Sequence, residues 1–287
     1  MIDSTDKASI QAALVKAGLP VLANNIGRVT RTSIRLYATP VDESTLKTGA
    51  SKLGGSPDLP PGIAWPAWKD TPQSFIAQIR LDEAHPFDIE GLLPQSGMLW
   101  FFYDARQETF GENPADRGGW HVLFKDGDLG SLQQVPAPAT LPVESRFHAC
   151  SLRFASEITL TQQPDLEIPG LNWSDANQEG YENLLATLPN QSDHASIHHR
   201  LLGFPDTIQD DMRMQCQLVS HGVTDEDDSR AEALSKGAAD WRLLLQIDSD
   251  EHAGMNWGNN GMLYYWITLA DLKAQHFDTT WLVLQSE

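Results

Sequence analysis

Four short motifs occur twice along the chain in the same order, and this repetition limits the folds that the chain can adopt. The pairs are Lys52-Leu53-Gly54-Gly55-Ser56-Pro57 with Arg200-Leu201-Leu202-Gly203-Phe204-Pro205, 78–82 with 246–250, 97–102 with 261–266, and 120–124 with 281–285. The pattern predicts a strand-rich unit present in two copies. Two copies form a pseudo-dimer within one chain, because a solenoid needs at least three stacked units. The alternative, a chance likeness of two strand-rich halves, accounts poorly for a Gly-Met-Leu-aromatic run in both.

The spacing between the matched motifs is uneven. Lys52 and Arg200 are 148 residues apart, whereas Gln78 and Gln246 are 168 apart, so the second copy carries an insertion between its first two motifs. This insertion contains the acidic run 225–228, which is typical of a solvated loop and is expected to lead into a short helix.

Hydrophobic periodicity places helices and strands along the chain. Ser4 or Thr5 is expected to cap a helix that ends at Gly18, and Ser174 to cap a helix that runs to Leu188. Short helices are expected near 21–26 and 270–277, and the Gly- and Pro-rich stretch 48–68 is expected to form a long ordered loop, either functional or covering one face of a sheet. Strands are expected at 33–37, 75–80, 98–103, 120–124, 146–160, 212–219, 241–247, 262–268 and 281–284.

These elements define the expected fold class. Strands outnumber helices and do not alternate regularly with them, which predicts an α+β fold with mostly antiparallel sheets, an internal duplication of a strand-rich unit and a few peripheral helices. We expect residues 1–47 to form an N-terminal helical segment and first strand that pack on the rest. Residues 48–287 are expected to form one domain of two pseudo-repeats, at about 48–130 and 195–287.

The strong negative charge excludes some partners and favours others. The chain has 39 Asp and Glu against 20 Lys and Arg, a net charge of −19. Such a surface repels phosphate backbones, so we expect no nucleic-acid binding. Acidity can simply maintain solubility, or it can speed the encounter with a basic protein partner.

The sequence predicts a cytoplasmic protein without a membrane segment. The N-terminus has neither the basic nor the apolar region of a secretory signal, and no stretch approaches the roughly 20 apolar residues of a transmembrane helix. Cys150 and Cys216 are widely separated in apolar runs, so buried free thiols are expected.

Common catalytic motifs are absent from the sequence: it contains no G-x-S-x-G, H-E-x-x-H, P-loop or G-x-G-x-x-G. The repeated motifs provide other candidates. Lys52 matches Arg200, and Gln78 matches Gln246, so a pseudo-twofold axis would allow these polar groups to converge on a cleft for a small polar ligand or peptide. Alternatively, each buried Gln ties down the Gly- and Pro-rich loop of its own half, since a buried amide needs hydrogen-bond partners.

Further candidates lie where the two copies differ. Asp248 and Asp250 end an apolar strand and can ligate a hard cation or serve as turn residues. His198 and His199 point to opposite faces of an extended chain, which disfavours a shared metal, although either can act as a general base. Trp257, flanked by glycines, is either a lid over the core or an exposed recognition residue. We expect no resident metal or cofactor.

Several of these motifs resemble the bacterial YwqG-like family. The resemblance covers roughly residues 50–287 and rests on Ser51–Pro57 with Leu59-Pro60 and Trp65-Pro66, 75–79, 199–205, 244–250 and Trp257-Gly258-Asn259. Members have no established function, so the resemblance implies a fold, α+β with an internal repeat, and no catalytic residues. Family genes can lie near secreted-toxin loci, from which the resemblance implies an immunity or accessory role.

Together these observations predict a non-enzymatic binding protein. Its contacts are expected on the acidic surface or in a cleft between the halves, toward a basic partner in an immunity-like role. The alternative is an enzyme of unrecognised class, with an acid/base or metal site at the interface of the halves. The candidate ligand- or partner-binding residues are Lys52, Gln78, His198, His199, Arg200, Gln246, Asp248 and Trp257.

Overall fold

A computed structural model describes residues 6–188, 197–225 and 227–287. The strands are β1 (Thr30–Pro40), β2 (Lys52–Leu53), β3 (Asp58–Leu59), β4 (Ala67–Trp68), β5 (Thr71–Pro72), β6 (Ser74–Arg80), β7 (Met98–Tyr103), β8 (Trp120–Lys125), β9 (Gln133–Gln134), β10 (Cys150–Leu160), β11 (His199–Leu202), β12 (Trp241–Asp248), β13 (Met262–Thr268) and β14 (Trp281–Gln285). The helices are α1 (Lys7–Lys16), α2 (Pro20–Asn24), α3 (Ile26–Val29), α4 (Leu81–Ala84), α5 (Pro164–Glu167), α6 (Asp175–Leu185), α7 (Arg213–Ser220), α8 (Ala231–Ser235) and α9 (Leu269–Ala274). The predicted α+β class with a large antiparallel sheet is confirmed.

The main sheet has ten strands in the order β14-β13-β12-β11-β1-β10-β2-β6-β7-β8. The long strands β1 and β10 pair along their whole length in its centre. On one side lies the first arm, β2, β6, β7 and β8, and on the other lies the second arm, β11, β12, β13 and β14. In each arm, the strands follow one another in chain order from the centre of the sheet to its edge.

Pairing within the two arms follows the same pattern. Gln78 lies opposite Lys52 and Trp100 in the first arm, and Gln246 lies opposite Arg200 and Tyr264 in the second. The register shifts between Phe75 and Ala77 in β6 and between Leu243 and Leu245 in β12. The backbone after β2 also matches that after β11: φ is +57° at Gly54 and +59° at Leu202, then +71° at Gly55 and +81° at Gly203.

The sheet curls so that its two arms share one core. Strands β8 and β14 lie at opposite ends of the strand order, yet the Trp120 and Trp281 rings meet edge to face with centroids 4.9 Å apart. The Trp120 indole N–H also donates to the Thr280 carbonyl at 2.8 Å. Deeper in the core, Phe101 of the first arm contacts Tyr265 of the second at 5.2 Å.

A second apolar cluster closes one end of the molecule. It is formed by α1, α2, α6 and the end of β10, and it includes Ile10, Leu14, Leu22, Ile158, Leu160, Tyr181 and Leu184. The cap of α1 differs from the expectation. Asp6 caps the helix by accepting from the backbone N–H groups of Ala8 and Ser9, while Ser4 and Thr5 lie outside the described residues. Ser174 caps α6 as predicted, and that helix ends at Leu185.

The strand expected at 212–219 is wrong, because this segment forms helix α7. Met212, Cys216 and Val219 recur at helical spacing and are buried, whereas Met214 is 42% exposed. The insertion in the second half therefore contains α7 followed by the predicted short helix, α8. Both cysteines are buried free thiols, as predicted. Within the described ranges, none of the helices combines the length and the apolar character that crossing a bilayer requires.

Candidate functional site

The repeated motifs build two buried polar clusters, one on each arm. The first cluster contains Lys52, Asp58, Gln78 and Trp100, and the second contains Arg200, Asp206, Gln246 and Tyr264. In each, a cation at the first strand of the arm meets an aspartate six residues further along the chain. That spacing is fixed by the turn with left-handed φ that follows β2 and β11.

In the first cluster, Asp58 is held by its backbone and by its side chain. Its backbone N–H donates to the Gln78 side-chain oxygen at 2.8 Å, and its carbonyl accepts the Trp100 indole N–H at 2.8 Å. Its carboxylate accepts the Gln78 amide at 2.7 Å and lies 3.5 Å from Lys52 Nζ. Lys52 also donates to the Ser56 carbonyl at 2.6 Å and to Glu43 at 3.0 Å.

The second cluster repeats these contacts with other side chains. The Asp206 N–H donates to the Gln246 side-chain oxygen at 2.9 Å, and the Asp206 carbonyl accepts the Tyr264 hydroxyl at 2.6 Å. The Asp206 carboxylate accepts the Gln246 amide at 2.9 Å and lies 2.7 Å from Arg200 Nη2. Arg200 donates to the Phe204 carbonyl at 3.0 Å and lies 3.3 Å from Glu157.

Electrostatics holds the second cluster in its ionised form. Burial opposes ionisation of Asp206, but the charge of Arg200 and the hydrogen bond from His198 outweigh it and lower the pKa of Asp206. Burial likewise opposes the charge on Arg200, and the carboxylates of Asp206 and Glu157 outweigh it and raise its pKa. The cluster is thus a buried ion pair, in which loss of either partner would leave an uncompensated charge.

The two clusters do not converge on a common cleft. Strands β1 and β10 lie between β11 and β2 in the sheet, so Lys52 and Gln78 are separated from Arg200 and Gln246 by two intervening strands. Each glutamine also binds backbone of its own arm: Gln78 donates to the Ala50 carbonyl and Gln246 to the His198 carbonyl. This geometry corresponds to the alternative in which the glutamines tie down their own loops.

The structure brings the histidine and aspartate candidates of the second half together beside the second cluster. The Asp248 carboxylate accepts the His198 backbone N–H at 2.8 Å, and the His198 ring lies 3.0 Å from Asp206. His199 Nδ1 accepts the Asp248 backbone N–H at 3.1 Å, so Nε2 is the nitrogen that carries the proton and faces Asp250 at 3.3 Å. Both nitrogens of His199 are therefore used within the fold.

The carboxylates of β12 and its following turn differ in their environments. Burial raises the pKa of Asp248. Burial also acts on Asp250, but contacts with His199 and with the backbone N–H groups of His252 and Ala253 lower its pKa. Asp250 therefore behaves as an ionised turn residue. Across the part of the chain that the structure describes, no group of three or more His, Cys, Asp or Glu residues is arranged to hold a metal ion.

Trp257 is fully buried and forms part of the core between the arms. Its ring meets Phe147 at 5.4 Å and Tyr103 at 6.0 Å, both edge to face, and its indole N–H donates to the Asp248 carbonyl at 3.2 Å. Of the two roles left open by the sequence, the structure shows the packed one.

Sequence reasoning missed Asp58 and Asp206, which are the centre of each cluster. The signal was present, because the 148-residue offset continues past Pro57 and Pro205 to these two aspartates.

An open cleft of about 520 Å³ lies where the outer end of the first arm meets the second half. It lies within the size range of ligand pockets. Its wall is mostly apolar: Pro60 and Ile63 come from the Gly- and Pro-rich loop, Trp100 and 122–125 from β7 and β8, and Gln275, Phe277 and Asp278 from the segment before β14. We call this the arm cleft. Phe124 and Phe277 both line it and contact each other, with ring centroids 4.9 Å apart.

The fold and its clusters define a class of α+β protein: one curled antiparallel sheet whose two arms carry matched buried polar clusters. Residues 51–286 match the family described as Domain of unknown function (DUF1963), and the chain belongs to that family. The match includes both arms and β10 but not β1. No curated protein matches the chain with statistical significance.

Proposed function

We propose that the chain is a binding protein that seats a basic polypeptide in the arm cleft. The observation that supports the proposal is the cleft itself, an open and mostly apolar depression between the arms in a chain of net charge −19. The buried clusters at Asp58 and Asp206 then serve as the scaffold that fixes the loops around the arms.

The charges around the arm cleft favour a basic partner. Asp278 lines it and is exposed, and Asp126 and Asp128 are exposed in the turn that directly follows β8. Of the described residues that line the cleft, Lys125 is the one cation. A basic segment with an apolar side chain satisfies both features, because acidic groups steer its approach while the apolar wall retains it.

Immunity is the biological role that fits this chemistry. A basic toxin is a partner of the proposed class, and neutralising it requires no catalytic residue. This role follows from the assignment of the chain to the YwqG-like members of its family, which we also propose on the motifs around 51–57 and 199–205. The protein would then act in the cytoplasm.

We also infer that the two arms arose by duplication of one unit, at about 48–130 and 195–287 within a domain of residues 48–287. Support comes from the matched strand order, register shifts, backbone angles and polar clusters of the arms. Superposition of the two repeats tests this inference. Superposing one repeat on the other should place Asp58 on Asp206 and Gln78 on Gln246, and a superposition that fails to align the four strands would refute it.

A matched pair of substitutions tests the binding proposal. Ile63 lines the arm cleft and is 46% exposed, whereas Ile89 is 63% exposed and does not line it. Arrays of synthetic peptides that combine Lys or Arg with Leu or Phe should bind the full chain. We expect Ile63→Asp to weaken the affinity for the tightest-binding peptide at least tenfold. Ile89→Asp should leave that affinity unchanged.

Two outcomes would overturn the proposal. The first is an array on which basic peptides bind no better than acidic ones of the same apolar content. The second is equal binding by the Ile63→Asp and Ile89→Asp variants, which would place the peptide elsewhere on the surface. Both positions are exposed, so neither substitution should prevent folding.

A further inference from the structure

A second cavity, of about 240 Å³, lies at the start of β1 and is separate from the arm cleft. It is lined by Gly27, Thr30, Arg31, Thr32, Glu90, Leu92, Leu202, Gly203, Arg242, Leu243, Leu269 and Lys273. We call it the β1 cavity. It combines residues from α3, β1, β11, β12 and α9 with Glu90 and Leu92 of the loop after α4, so its walls come from well-separated parts of the chain.

The charge of the β1 cavity is opposite to that of the whole protein. Acidic residues outnumber basic ones by 39 to 20 in the chain. Of the described residues that line the cavity, however, Arg31, Arg242 and Lys273 are cations and Glu90 is the single carboxylate. Chance placement would favour the reverse ratio. Three cations held around one space repel each other, and this arrangement costs stability unless an anion compensates it.

Two arginines of the cavity experience this repulsion. Burial and the charge of Arg242 lower the pKa of Arg31 to about 10, although Glu167 lies 3.7 Å from its Nη2. Burial and the charge of nearby Arg213 lower the pKa of Arg242. Arg242 donates from Nη1 to the carbonyls of Ala239 and Trp241.

Arg31 also retains unused hydrogen-bonding capacity. Among the described residues, its buried Nη1 atom finds no hydrogen-bond partner, while its guanidinium stacks 4.1 Å above the Phe204 ring. A buried donor without a partner is costly in a native fold and is common where a ligand completes the bonding. A guanidinium with free N–H groups is suited to carboxylate and phosphate oxygens.

We propose that the β1 cavity binds a small oxyanion, a molecule with a phosphate or carboxylate group, between Arg31, Arg242 and Lys273. The volume of the cavity accommodates a small metabolite and not a polymer. At Gly27 and Gly203 the backbone itself lines the cavity, because glycine has no side chain. This site is independent of the arm cleft and of the proposed polypeptide partner.

Calorimetric titration of the full chain tests the proposal at low ionic strength. Sodium phosphate and sodium succinate are the two probes, and sodium chloride at matched ionic strength is the reference. Saturable heat with phosphate assigns the site to phosphate esters, and saturable heat with succinate assigns it to carboxylates. Neither anion giving saturable heat beyond the chloride reference would refute the site.

Variants locate the bound anion. We expect Arg242→Gln to weaken binding at least tenfold, as for a lost charge-assisted contact. Lys273→Gln should weaken it several-fold. Lys273 is exposed, so Lys273→Gln should fold and test the site even if Arg242→Gln fails to fold. Lys236→Gln makes the same change at an exposed lysine that does not line the cavity, and it should have no effect. Equal losses for Lys236→Gln and Lys273→Gln would also refute the proposal, since they would indicate binding to general surface charge.

Discussion

Gln78 and Gln246 form the same three hydrogen bonds in the two arms. Each accepts the N–H of the cluster aspartate and donates to that aspartate's carboxylate, and each also donates to the carbonyl two residues before the cluster cation. Both side chains are fully buried. They connect the second strand of an arm to the turn that follows its first strand.

Replacing Gln246 by Ala should lower the free energy of unfolding by about 3 kcal/mol, because it removes three buried hydrogen bonds and takes the side-chain acceptor away from the buried Asp206 N–H. Urea unfolding measures this loss. Gln95→Ala, at an exposed glutamine, provides the control and should change stability little. A loss below about 1 kcal/mol for Gln246→Ala would show that the amide is not structural.

Asp248 gives a pH-dependent prediction. Its pKa is raised by burial, so the folded state binds its proton more tightly than the unfolded chain does, and stability falls as pH rises from the ordinary Asp value of about 3.9 through the folded pKa. Asn keeps an oxygen for the His198 N–H and has no charge. Asp248→Asn should therefore gain stability relative to the native chain as pH rises toward neutrality.

Chemical unfolding of both proteins from pH 3.5 to 7, a range chosen about the ordinary Asp pKa, measures this difference. Asp278→Asn also removes one negative charge, but at an exposed position. It serves as the control for any stability gained simply by reducing the net charge of −19. A difference between Asp248→Asn and the native chain that stays constant across the range would contradict the prediction.

Among the secondary-structure elements, α7 shows where sequence patterns are ambiguous. In 212–219, apolar residues at 212, 214, 216 and 218 alternate with polar ones, which matches a strand, but 212, 216 and 219 also match one face of a helix. The fold selects the helix, with Cys216 fully buried beneath it and the Gln217 side-chain oxygen accepting the Trp241 indole N–H at 2.8 Å. That partner is distant in sequence, so the local pattern could not reveal it.

Two methionines distinguish these alternatives by experiment. In a strand, Met212 and Met214 point to the same face, whereas α7 buries Met212 fully and leaves Met214 42% exposed. We expect Met212→Lys to lower the unfolding free energy by about 3 kcal/mol or more, since it buries a charge. Met214→Lys should stay within about 0.5 kcal/mol of the native chain in the same urea titration. Similar losses for both would favour the strand.

The sequence predicted most strands of the arms because their aromatic and apolar runs are continuous and the motif pairs support one another. It identified Lys52, Gln78, Arg200 and Gln246 as related residues for the same reason. It left open whether these residues converge on one cleft or hold each half together separately. Their separation depends on the insertion of β1 and β10 between the arms, a pairing of segments about 120 residues apart that no local motif encodes.

At the scale of the whole molecule, β1 is the strand that joins the two arms. It pairs with β10 on one side and with β11 on the other, so the second arm is connected to the rest of the sheet through β1. Its residues Ile34 and Leu36 are also part of the main core. Yet β1 lies before residue 51, where the family match begins.

A chain that begins at Thr48 therefore tests whether the matched region folds without residues 1–47. Without residues 1–47, the β10 and β11 edges lose their partner strand, the main core loses Ile34 and Leu36, and the second apolar cluster loses α1 and α2. We therefore expect no cooperative urea transition and a weakened near-ultraviolet circular dichroism signal. A synthetic peptide of residues 6–47 should restore both signals in a saturable manner, whereas a peptide of the same composition in scrambled order should not. A shortened chain that unfolds cooperatively at the native urea concentration would show instead that residues 48–287 fold as a domain on their own, with β1 added to a sheet that is already complete.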